Sequence, residues 1–468
     1  MEIVKGAATF TKTVIATSTS WLPSSPEYKP KSSLGIVPPK TRYKLDGLIT
    51  PDQWLESRKN TDGAEGLWRI HDKLYDFTSF IGQHPGGKDW LILTKGTDIS
   101  EIFESHHISD LPEQMIRKYF VKEAVTKRNV PFTFDEDGFY RTLKREVRKS
   151  LKDIPKNIYC ISDLYSDGLL FLLFLFSTLA VKWWSFTIAT AAGVALGLLT
   201  IAAHNYVHRK DNLRMFYLQF SLLQIREWRI THCLSHHPFT NTIIDLEIMM
   251  VEPFLQFLPY KKIFGGYFSL VVYPFTLTLS FPGLFMKRLM SSPSCNYKNI
   301  DIKDTSGLIL PIFMFITGKQ TIFYTVLMWC FILLVGSYIF TLIGLSAAHH
   351  HPDVFHDGDT PRTSEEYDWG ISQLDAVMER KDITGSDFLV LTTFGDHCLH
   401  HMFPTLDHST LKYLYPTLDK VMRQFDLNLR LISQMDAAIG AVQQMIKVEP
   451  NQSPPDLKKN EMFPRCQT

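Results

Sequence analysis

The sequence predicts two structural parts: a small α+β domain, followed by an all-α domain embedded in a membrane through about four transmembrane helices. Three observations predict this order. Residues 41–130 alternate short apolar clusters with Gly, Asp and Pro, later residues form two long runs with one charge each, and histidines cluster beside those runs. Core helices of soluble proteins seldom lack charge over such lengths, so we expect a membrane domain rather than a large soluble core.

Composition narrows the class of protein. The chain has 468 residues and a formal net charge of +1, so no nucleic-acid partner is expected. Its six cysteines are scattered without a C-x-x-C pair, which indicates a reducing compartment rather than a disulfide framework. The first thirty residues lack a basic segment followed by an apolar core, and no secretory signal is predicted.

Shifts in composition divide the chain into five segments. We expect a flexible leader over residues 1–40, the small domain over 41–130, and a solvated helical linker rich in charged residues over 131–165. The membrane domain follows over 166–430. The last segment, 431–468, is expected to be a partly disordered tail, because its second half is polar and rich in proline.

The first run, Gly168–Tyr206, contains Lys182 as its only formal charge. A helix rises ~1.5 Å per residue, so these 39 residues extend ~58 Å, enough for two crossings of a ~30 Å hydrocarbon core. Lys182, Trp183 and Trp184 fall where the chain must turn, at the headgroup level that such side chains favour. The run therefore predicts a helical hairpin that returns to the side it left.

The second run, Ser306–Ala348, has Lys319 as its only charge over 43 residues and predicts another hairpin, although its first arm, Ser306–Gly318, is short. A third apolar stretch, Ile263–Met286, contains two prolines. We expect it to lie in the interface, to re-enter, or to span in place of the short arm. Each arrangement keeps the histidine clusters on one membrane side. If both segments span, the last cluster lands on the opposite side, and we reject that arrangement.

Two histidine segments of the small domain predict a haem site. The segment HPGG begins at His84 and follows the aromatic-rich Tyr75–Phe80, and a His106-His107 pair lies downstream. Two imidazoles from opposite walls of an apolar pocket can ligate haem iron on both faces, which favours electron transfer over oxygen binding. The glycines after His84 let the backbone turn sharply and approach a porphyrin closely.

This part of the chain resembles the cytochrome b5 family across residues 45–125. The matching patterns are YDxTxF, HPGG and the later DxxxxFxxxH. The resemblance implies an α+β cytochrome b5-like haem domain in which His84 and His107, 23 positions apart, hold haem b. His106 is the alternative second ligand.

The remaining histidines cluster beside the uncharged runs. Spacings of three and four residues put imidazoles on one helix face, where they can hold a metal ion together. So many imidazoles exceed the needs of one tetrahedral ion, so we expect two metal ions with open positions. Two irons can activate O2 for hydrogen removal from an unactivated C–H bond, and a haem carrier supplies electrons singly. The expected ligands are His204 and His208 in HNYVH, His232, His236 and His237 in HCLSHH, His349, and His397, His400 and His401 in HCLHH.

Other histidines have simpler interpretations. Among His349–His351 and His356 we expect at most one ligand, with His349 the first choice and a polar histidine-rich loop as the alternative. The isolated His71 and His408 are expected to be surface residues or hydrogen-bonded core residues.

The clusters and their surroundings resemble the membrane fatty-acid desaturase superfamily over residues 162–427. Trp228 precedes the second cluster, and a pattern similar to the family's WxxxHxxHH…N…DxD continues through Asn241, Asp245 and Glu247. The third cluster continues as HHMFP, similar to the family's HHxFP. The resemblance implies an all-α desaturase-like domain with two non-haem iron ions.

Three features depart from the family pattern. The third cluster begins with His397, where members with an N-terminal cytochrome b5 domain usually have Gln, and the first cluster reads HNYVH rather than HDxGH. The second cluster has one extra residue between its first two histidines. All expected ligands survive these changes, so metal binding is still expected, whereas the pattern does not fix regiochemistry or substrate.

These expectations together indicate an O2-dependent acyl-lipid desaturase of the endoplasmic reticulum membrane, with its haem domain and histidine clusters facing the cytosol. Electrons would arrive from an NADH–cytochrome b5 reductase, and the substrate would be an acyl-lipid or acyl-CoA. Two alternatives are a lipid hydroxylase, which shares the first hydrogen abstraction, and a membrane-anchored electron carrier without oxidase activity. A transporter is not expected, because the histidines lie at membrane ends rather than in mid-span.

Overall fold

The computed structural model describes residues 31–39, 49–262, 264–291, 302–363 and 367–457. The described residues form an N-terminal α+β domain followed by a helical domain with four helices long and apolar enough to cross a membrane. The predicted fold class is confirmed.

The N-terminal domain is built on a small antiparallel sheet of order β1-β2-β3. Its first helix begins with a capping box, because Thr50 Oγ1 accepts from Gln53 N while Gln53 Oε1 accepts from Thr50 N. Trp68, Tyr75 and Phe103 belong to the apolar core beside the sheet. The elements are α1 (Pro51–Thr61), β1 (Trp68–Ile70), β2 (Lys73–Tyr75), α2 (Lys88–Thr94), α3 (Ser100–His106), α4 (Leu111–Ile116) and β3 (Phe120–Glu123), with 3₁₀ helices at Thr78–Gln83 and Arg117–Tyr119.

Among the described residues that follow, the regular structure is helical apart from a two-residue parallel pair of strands. Its helices are α5 (Phe139–Ser150), α6 (Tyr159–Trp183), α7 (Phe186–Val207), α8 (Ile225–Trp228), α9 (Leu246–Val251), α10 (Phe268–Ser291), α11 (Ile309–Gly318), α12 (Ile322–Leu345), α13 (Trp369–Ala376), α14 (Asp387–Thr392), α15 (His397–Met402), α16 (His408–Leu411), α17 (Tyr415–Gln424) and α18 (Gln434–Ile446). A π-helix covers Arg229–His236, 3₁₀ helices cover Leu213–Ser221, Ile302–Leu308 and Lys412–Leu414, and the strands are β4 (Glu379–Arg380) and β5 (Leu431–Ile432).

The four candidate membrane spans are α6, α7, α12 and residues Phe268–Met290 of α10. The first hairpin turns where the sequence predicts, because Trp184 adopts φ +50° and Ser185 Oγ caps α7. Thr305–Gly318 forms only a shorter apolar helix. Of the arrangements expected for the later segments, the one in which the third apolar stretch spans in place of the short arm is therefore favoured by helix length.

Helices α7 and α12 approach each other closely through glycines. A Cβ atom on Gly193 would lie 2.5 Å from Val335 Cβ, and one on Gly197 would lie 2.8 Å from Ile339 Cβ. Small residues spaced four apart allow helix backbones in a membrane to pack closely. This contact fixes the end of α7, where the first histidine cluster begins.

Residues 131–165 are not the solvated linker that their charge predicts. Helix α5 within them buries Phe139, Tyr140, Leu143 and Val147 and packs against α13 and α17. These positions form one apolar stripe, and the many Lys and Arg residues occupy the remaining faces. The overall charge of the segment therefore hides an amphipathic helix that joins the two domains.

Both terminal segments are more ordered than expected wherever the structure describes them. Ser32 Oγ and Ser33 N each donate to the carboxylate of Asp357 at 2.8 Å. In the tail, α18 packs against α10, and Leu457 is buried in the main core. The expected flexibility of residues 1–30 and disorder of 458–468 lie outside the described residues.

Candidate haem and metal sites

His84 and His107 face each other in the N-terminal domain, with ring centroids 6.3 Å apart and an interplanar angle of 76°. His84 Nδ1 lies 2.8 Å from the Gly87 carbonyl oxygen, and His107 Nδ1 lies 2.9 Å from the Phe103 carbonyl oxygen. A carbonyl can only accept, so each ring carries its proton on Nδ1 and keeps the Nε2 lone pair for a metal ion. The pair fits a haem iron ligated on both faces.

His106 has a different environment from its neighbour. Its ring lies 5.6 Å from Trp90 and 6.3 Å from His208, a member of the first histidine cluster. Burial lowers the pKa of His106 to about 3, so the ring is neutral. The geometry places His107, and not His106, opposite His84.

Five histidines of the helical domain converge into what we call group 1: His204, His208, His232, His237 and His400, whose potential ligand atoms all lie within 4.8 Å of one another. His204 Nε2 lies 2.7 Å from His232 Nε2 and 3.0 Å from Nε2 of both His208 and His400. An imidazole nitrogen carries either one hydrogen or one lone pair, so it cannot pair with three nitrogens at once. A shared cation satisfies all of them, and neutral imidazole suits iron.

A second set, group 2, contains His236, His349 and His401, with His397 beside them. His349 Nε2 lies 3.2 Å from His236 Nε2 and 2.5 Å from His397 Nε2. The rings of His237 and His401 stack with centroids 4.0 Å apart, so the two groups adjoin. All nine expected metal-ligand histidines thus lie in two neighbouring groups, an arrangement that fits two metal ions.

The second cluster is not the simple one-face helix that its spacing suggests. Residues Arg229–His236 form a π-helix, in which His237 N donates to His232 O at 3.0 Å. Hydrogen bonds between residues five positions apart bring His232 and His237 together in group 1 and turn His236 toward group 2. The extra residue of this cluster is accommodated by the wider helical turn, so the histidines still converge.

Carboxylates orient two of these imidazoles. Glu247 Oε1 lies 2.6 Å from His232 Nδ1, and Asp245 Oδ2 lies 2.9 Å from His236 Nδ1. Since a carboxylate accepts the Nδ1 proton, each Nε2 keeps its lone pair for a cation. Asn241 Nδ2 donates to the carbonyl oxygen of His349 at 2.9 Å and positions the loop that carries that residue.

Burial and neighbouring charges keep most histidines of groups 1 and 2 uncharged. Burial, reinforced by neighbouring histidines, lowers the pKa of His237, His349, His400 and His401 well below its ordinary value. His236 is the exception: burial alone would lower its pKa, but the nearby carboxylates raise it to about 9, so a metal ion that binds this ring must first displace its Nε2 proton. Neutral imidazoles are the protonation state that binds metal ions.

His408 is the hydrogen-bonded core residue that was one of its two expected interpretations, but the sequence did not predict that it lies beside group 1. It is buried, its ring lies 4.6 Å from that of His400, and its Nδ1 lies 2.9 Å from Asn205 Oδ1. Asn205 also donates to Asp407 Oδ2 at 2.9 Å, so the Asn of HNYVH joins the first cluster to the segment after the third. The sequence gave no signal of these contacts, because they join residues some 200 positions apart in the chain.

The haem domain packs directly on the segments that carry the clusters. Trp54 Nε1 donates to the Ile244 carbonyl oxygen at 2.9 Å, between the second cluster and α9. Tyr140 of α5 links the haem domain to the end of the third cluster, because its Oη lies 3.2 Å from the Glu104 carbonyl oxygen and 3.0 Å from the Met402 carbonyl oxygen. The Arg229 guanidinium lies 4.6 Å from the ring of Trp90 in α2. The two metal-binding parts are therefore neighbours in space.

A cavity of about 520 Å³ opens beside both histidine groups. Its lining is mainly apolar side chains of α10 and α12, including Phe275, Leu279 and Phe340, and it reaches His232 and His397. Cavities of this size and composition bind small molecules or lipid chains. The lining also contains Thr50 and Pro51 of the haem domain, together with Lys287 and Arg288 near the end of α10.

A membrane domain with clustered histidines and an apolar cavity, joined to a haem-binding module, defines a class of membrane oxidoreductases that act with electron carriers. Residues 182–432 match the family model for fatty acid desaturase, and residues 53–125 match the cytochrome b5-like heme/steroid binding domain. The chain belongs to the fatty acid desaturase family and carries a fused cytochrome b5-like domain.

Individual relatives agree with this assignment. The chain is 41% identical over 431 residues to cytochrome b5-related protein of Drosophila melanogaster, covering 91% of this chain and 98% of that relative. It is 25% identical over 425 residues to acyl-lipid (8-3)-desaturase B of Dictyostelium discoideum, covering 80% and 89%. Acyl-lipid (8-3)-desaturase of Mortierella alpina is 28% identical over 220 residues, covering 43% and 49%. No solved structure matches significantly.

Proposed function

We propose that this chain is an O2-dependent acyl-lipid desaturase that uses its own haem domain as electron donor. In this proposal His84 and His107 hold haem b, and the nine histidines of groups 1 and 2 hold two non-haem iron ions. The names of the Dictyostelium and Mortierella relatives support a desaturase, whereas the name of the Drosophila relative states no activity.

The observation that carries the proposal is the apolar cavity that ends on histidines of both groups. His232 of group 1 and His236, His349 and His397 of group 2 all line it. An acyl chain in this cavity lies against the histidines while the surrounding side chains exclude water. Lys287, in the same lining, supplies positive charge for the anionic carrier of an acyl-lipid or acyl-CoA.

When bound, the two irons would supply the oxidising power for C–H cleavage from O2. The reaction breaks two C–H bonds on adjacent carbons and forms one C=C bond. The two hydrogen atoms removed from the acyl chain, together with two electrons and two protons from outside, reduce O2 to two waters. The chain's own contribution is positioning: Glu247 and Asp245 hold His232 and His236 with Nε2 turned inward, and Phe340 and Leu279 border the acyl chain.

The electrons would come from NADH through a cytochrome b5 reductase. The haem domain contacts the cluster-bearing segments through Trp54 and Trp90, so both lie on one side of the membrane, and a soluble reductase requires that side to be cytosolic. We place the protein in the endoplasmic reticulum membrane on this basis.

The test is expression in yeast cells fed saturated acyl chains of several lengths, with mass spectrometry of the extracted lipids. A product lighter by two hydrogens, present with wild type and absent with His232→Ala, is the expected result. The matched control is His351→Ala, which removes a neighbouring histidine that belongs to neither group. A product heavier by one oxygen would instead establish a hydroxylase.

Metal analysis of the purified protein separates the enzyme from an electron carrier. We expect iron in excess of haem, with the excess lost in His232→Ala and retained in His351→Ala. Iron equal to haem after anaerobic purification with added iron, together with no lipid product, would leave only a membrane-anchored carrier.

A further inference from the structure

We propose that His106 is the electron-transfer bridge between the haem site and group 1. This inference rests on the proposed function and adds a positioning residue to it. His106 is covalently next to His107, the haem-side residue, and its ring lies 6.3 Å from the ring of His208. It therefore contacts both redox sites through one peptide bond and one ring contact.

The polar atoms at this contact lack hydrogen-bond partners. His106 Nε2 and His208 Nδ1 are both buried and, among the described residues, neither has a partner. An unpartnered buried polar atom costs stability. Since neither of these nitrogens makes a hydrogen bond, we infer that the ring of His106 serves the connection by filling the space between the two sites.

His208 completes the connection on the metal side. Its Nε2 lies 3.0 Å from His204 Nε2 within group 1, while its ring faces that of His106 at an interplanar angle of 39°. The ring of Trp90 packs against His106 with centroids 5.6 Å apart and covers the junction. Close-packed atoms thus run from the haem pair to group 1, and electron tunnelling is faster through packed atoms than across a gap.

The helix that carries His106 is held firmly against the metal domain. Glu104, two residues earlier in α3, accepts from Lys144 Nζ at 2.9 Å and also pairs with Arg141 of α5. Tyr140 Oη donates to the Glu104 carbonyl oxygen at 3.2 Å, and Thr405 Oγ1 donates to the His106 carbonyl oxygen at 3.4 Å. These contacts keep the distance between the two sites fixed, so transfer requires no diffusion of a separate carrier.

Each transfer through this route moves one electron. The haem iron is oxidised from Fe(II) to Fe(III), and one non-haem iron is reduced from Fe(III) to Fe(II). No bond to His106 forms or breaks. The reductant that would restore Fe(II) haem is NADH, through the cytochrome b5 reductase of the proposed function.

The test follows haem oxidation inside the loaded protein and needs no lipid substrate. Under anaerobic conditions, a photochemical one-electron donor reduces the haem in a flash, and the Soret band reports the loss of that electron to the ferric non-haem iron. In His106→Ala the missing ring opens a gap, and we expect this phase to slow about tenfold, or about 1.4 kcal/mol in activation free energy. Haem and non-haem iron contents should match wild type.

Two further variants sharpen the result. His106→Phe refills the gap with an aromatic ring, and we expect it to recover most of the rate lost in His106→Ala. Ile92→Ala removes an exposed side chain of α2 on the same domain and should leave the rate unchanged. Replacing non-haem iron with redox-inactive zinc should remove the phase in every variant.

The possible outcomes separate failure of the proposed bridge from failure of the proposed desaturase function. A His106→Ala protein with wild-type metal content and a wild-type rate would overturn the bridge and leave the desaturase proposal standing. If electron transfer in His106→Phe is as slow as in His106→Ala, a packed ring at this position is not the bridge and the proposal is overturned. If wild type loaded with non-haem iron shows no intramolecular phase, the proposed function fails and the bridge fails with it.

Discussion

The haem pair and the two histidine groups are both built from buried imidazoles, but they are assembled differently. His84 and His107 lie in one small domain, and each takes its Nδ1 partner from a backbone carbonyl three or four residues away. Group 1 joins residues as distant as His204 and His400, 196 positions apart. Its member His232 takes its Nδ1 partner from Glu247, a carboxylate in another segment.

This difference shows which structural level each site depends on. A site held by local hydrogen bonds should survive disturbance of helix packing elsewhere in the chain. A site assembled from α7, the π-helix and α15 should fail whenever those elements move relative to one another. Haem content therefore measures whether the local structure of the N-terminal domain is intact. Non-haem iron content measures whether the helices that carry the histidine groups are packed correctly.

The largest effect is expected from removing one ligand of each site. His84→Ala should abolish the haem Soret absorbance and leave the non-haem iron in place, while His237→Ala should do the reverse. Absorbance and elemental iron on the same samples measure both quantities. Loss of both metals in either variant would show that the two sites form one folding unit and would remove the contrast.

Next in size is the ion network that holds α3 to α5. Burial alone would raise the pKa of Glu104, but His71, Lys144 and Arg141 outweigh it and hold this pKa well below its usual range. Because the folded pKa is depressed, the stabilisation is present above the unfolded pKa of about 4.3 and is lost as pH falls below it. Glu104→Gln leaves buried cations unpaired and should lower the unfolding free energy by about 3 kcal/mol.

Denaturant titration at pH 7, in detergent, measures this change. Glu113→Gln is the control, since Glu113 is half-exposed and lies 3.9 Å from the same Lys144. Its effect should stay under about 1 kcal/mol. Equal effects from the two substitutions would mean that the buried network does not hold the domains together.

A smaller effect is expected from the carboxylate that orients His232. Glu247→Gln keeps the shape of the side chain but weakens its hydrogen bond to Nδ1, and should reduce non-haem iron affinity about 10–100-fold. Chelator competition measures this affinity. Haem content should not change, and Asp387→Asn, at an ion pair with Lys412 away from both groups, should leave the affinity intact.

The smallest effect tests helix packing at a distance from any ligand. Gly197→Ala places a Cβ atom 2.8 Å from Ile339 Cβ, and such overpacking should cost about 1–2 kcal/mol. Since α7 carries His204, non-haem iron should bind more weakly while haem is unaffected. Gly168→Ala on α6, where no other atom lies within 4 Å, is the matched control. An equal loss of haem and iron in Gly197→Ala would contradict the division between local and long-range sites.

Residue patterns predicted much of this molecule because they report local chemistry. A charge-free run signals a membrane helix wherever it packs, and HPGG with a correctly spaced His signals a haem pair within one domain. Charge content misled at α5, where the buried face of Phe139, Tyr140 and Leu143 is visible only when residues are sorted by helical period. The contacts of His408 with Asn205 and His400 could not be predicted, because Asn205 comes from an element distant in sequence and the helix spacing gave no sign of either contact.

The sequence by itself determined the order of the two domains, the first membrane hairpin and the nine histidines that converge. Only the tertiary structure decided which group each histidine joins and how the groups meet the haem domain. The π-helical turn separates His236 from His232 and His237, and the packing of α3 against the clusters places His106 beside His208. Spacing along a chain fixes neighbours on one helix, whereas contacts between helices depend on how all of their faces pack together.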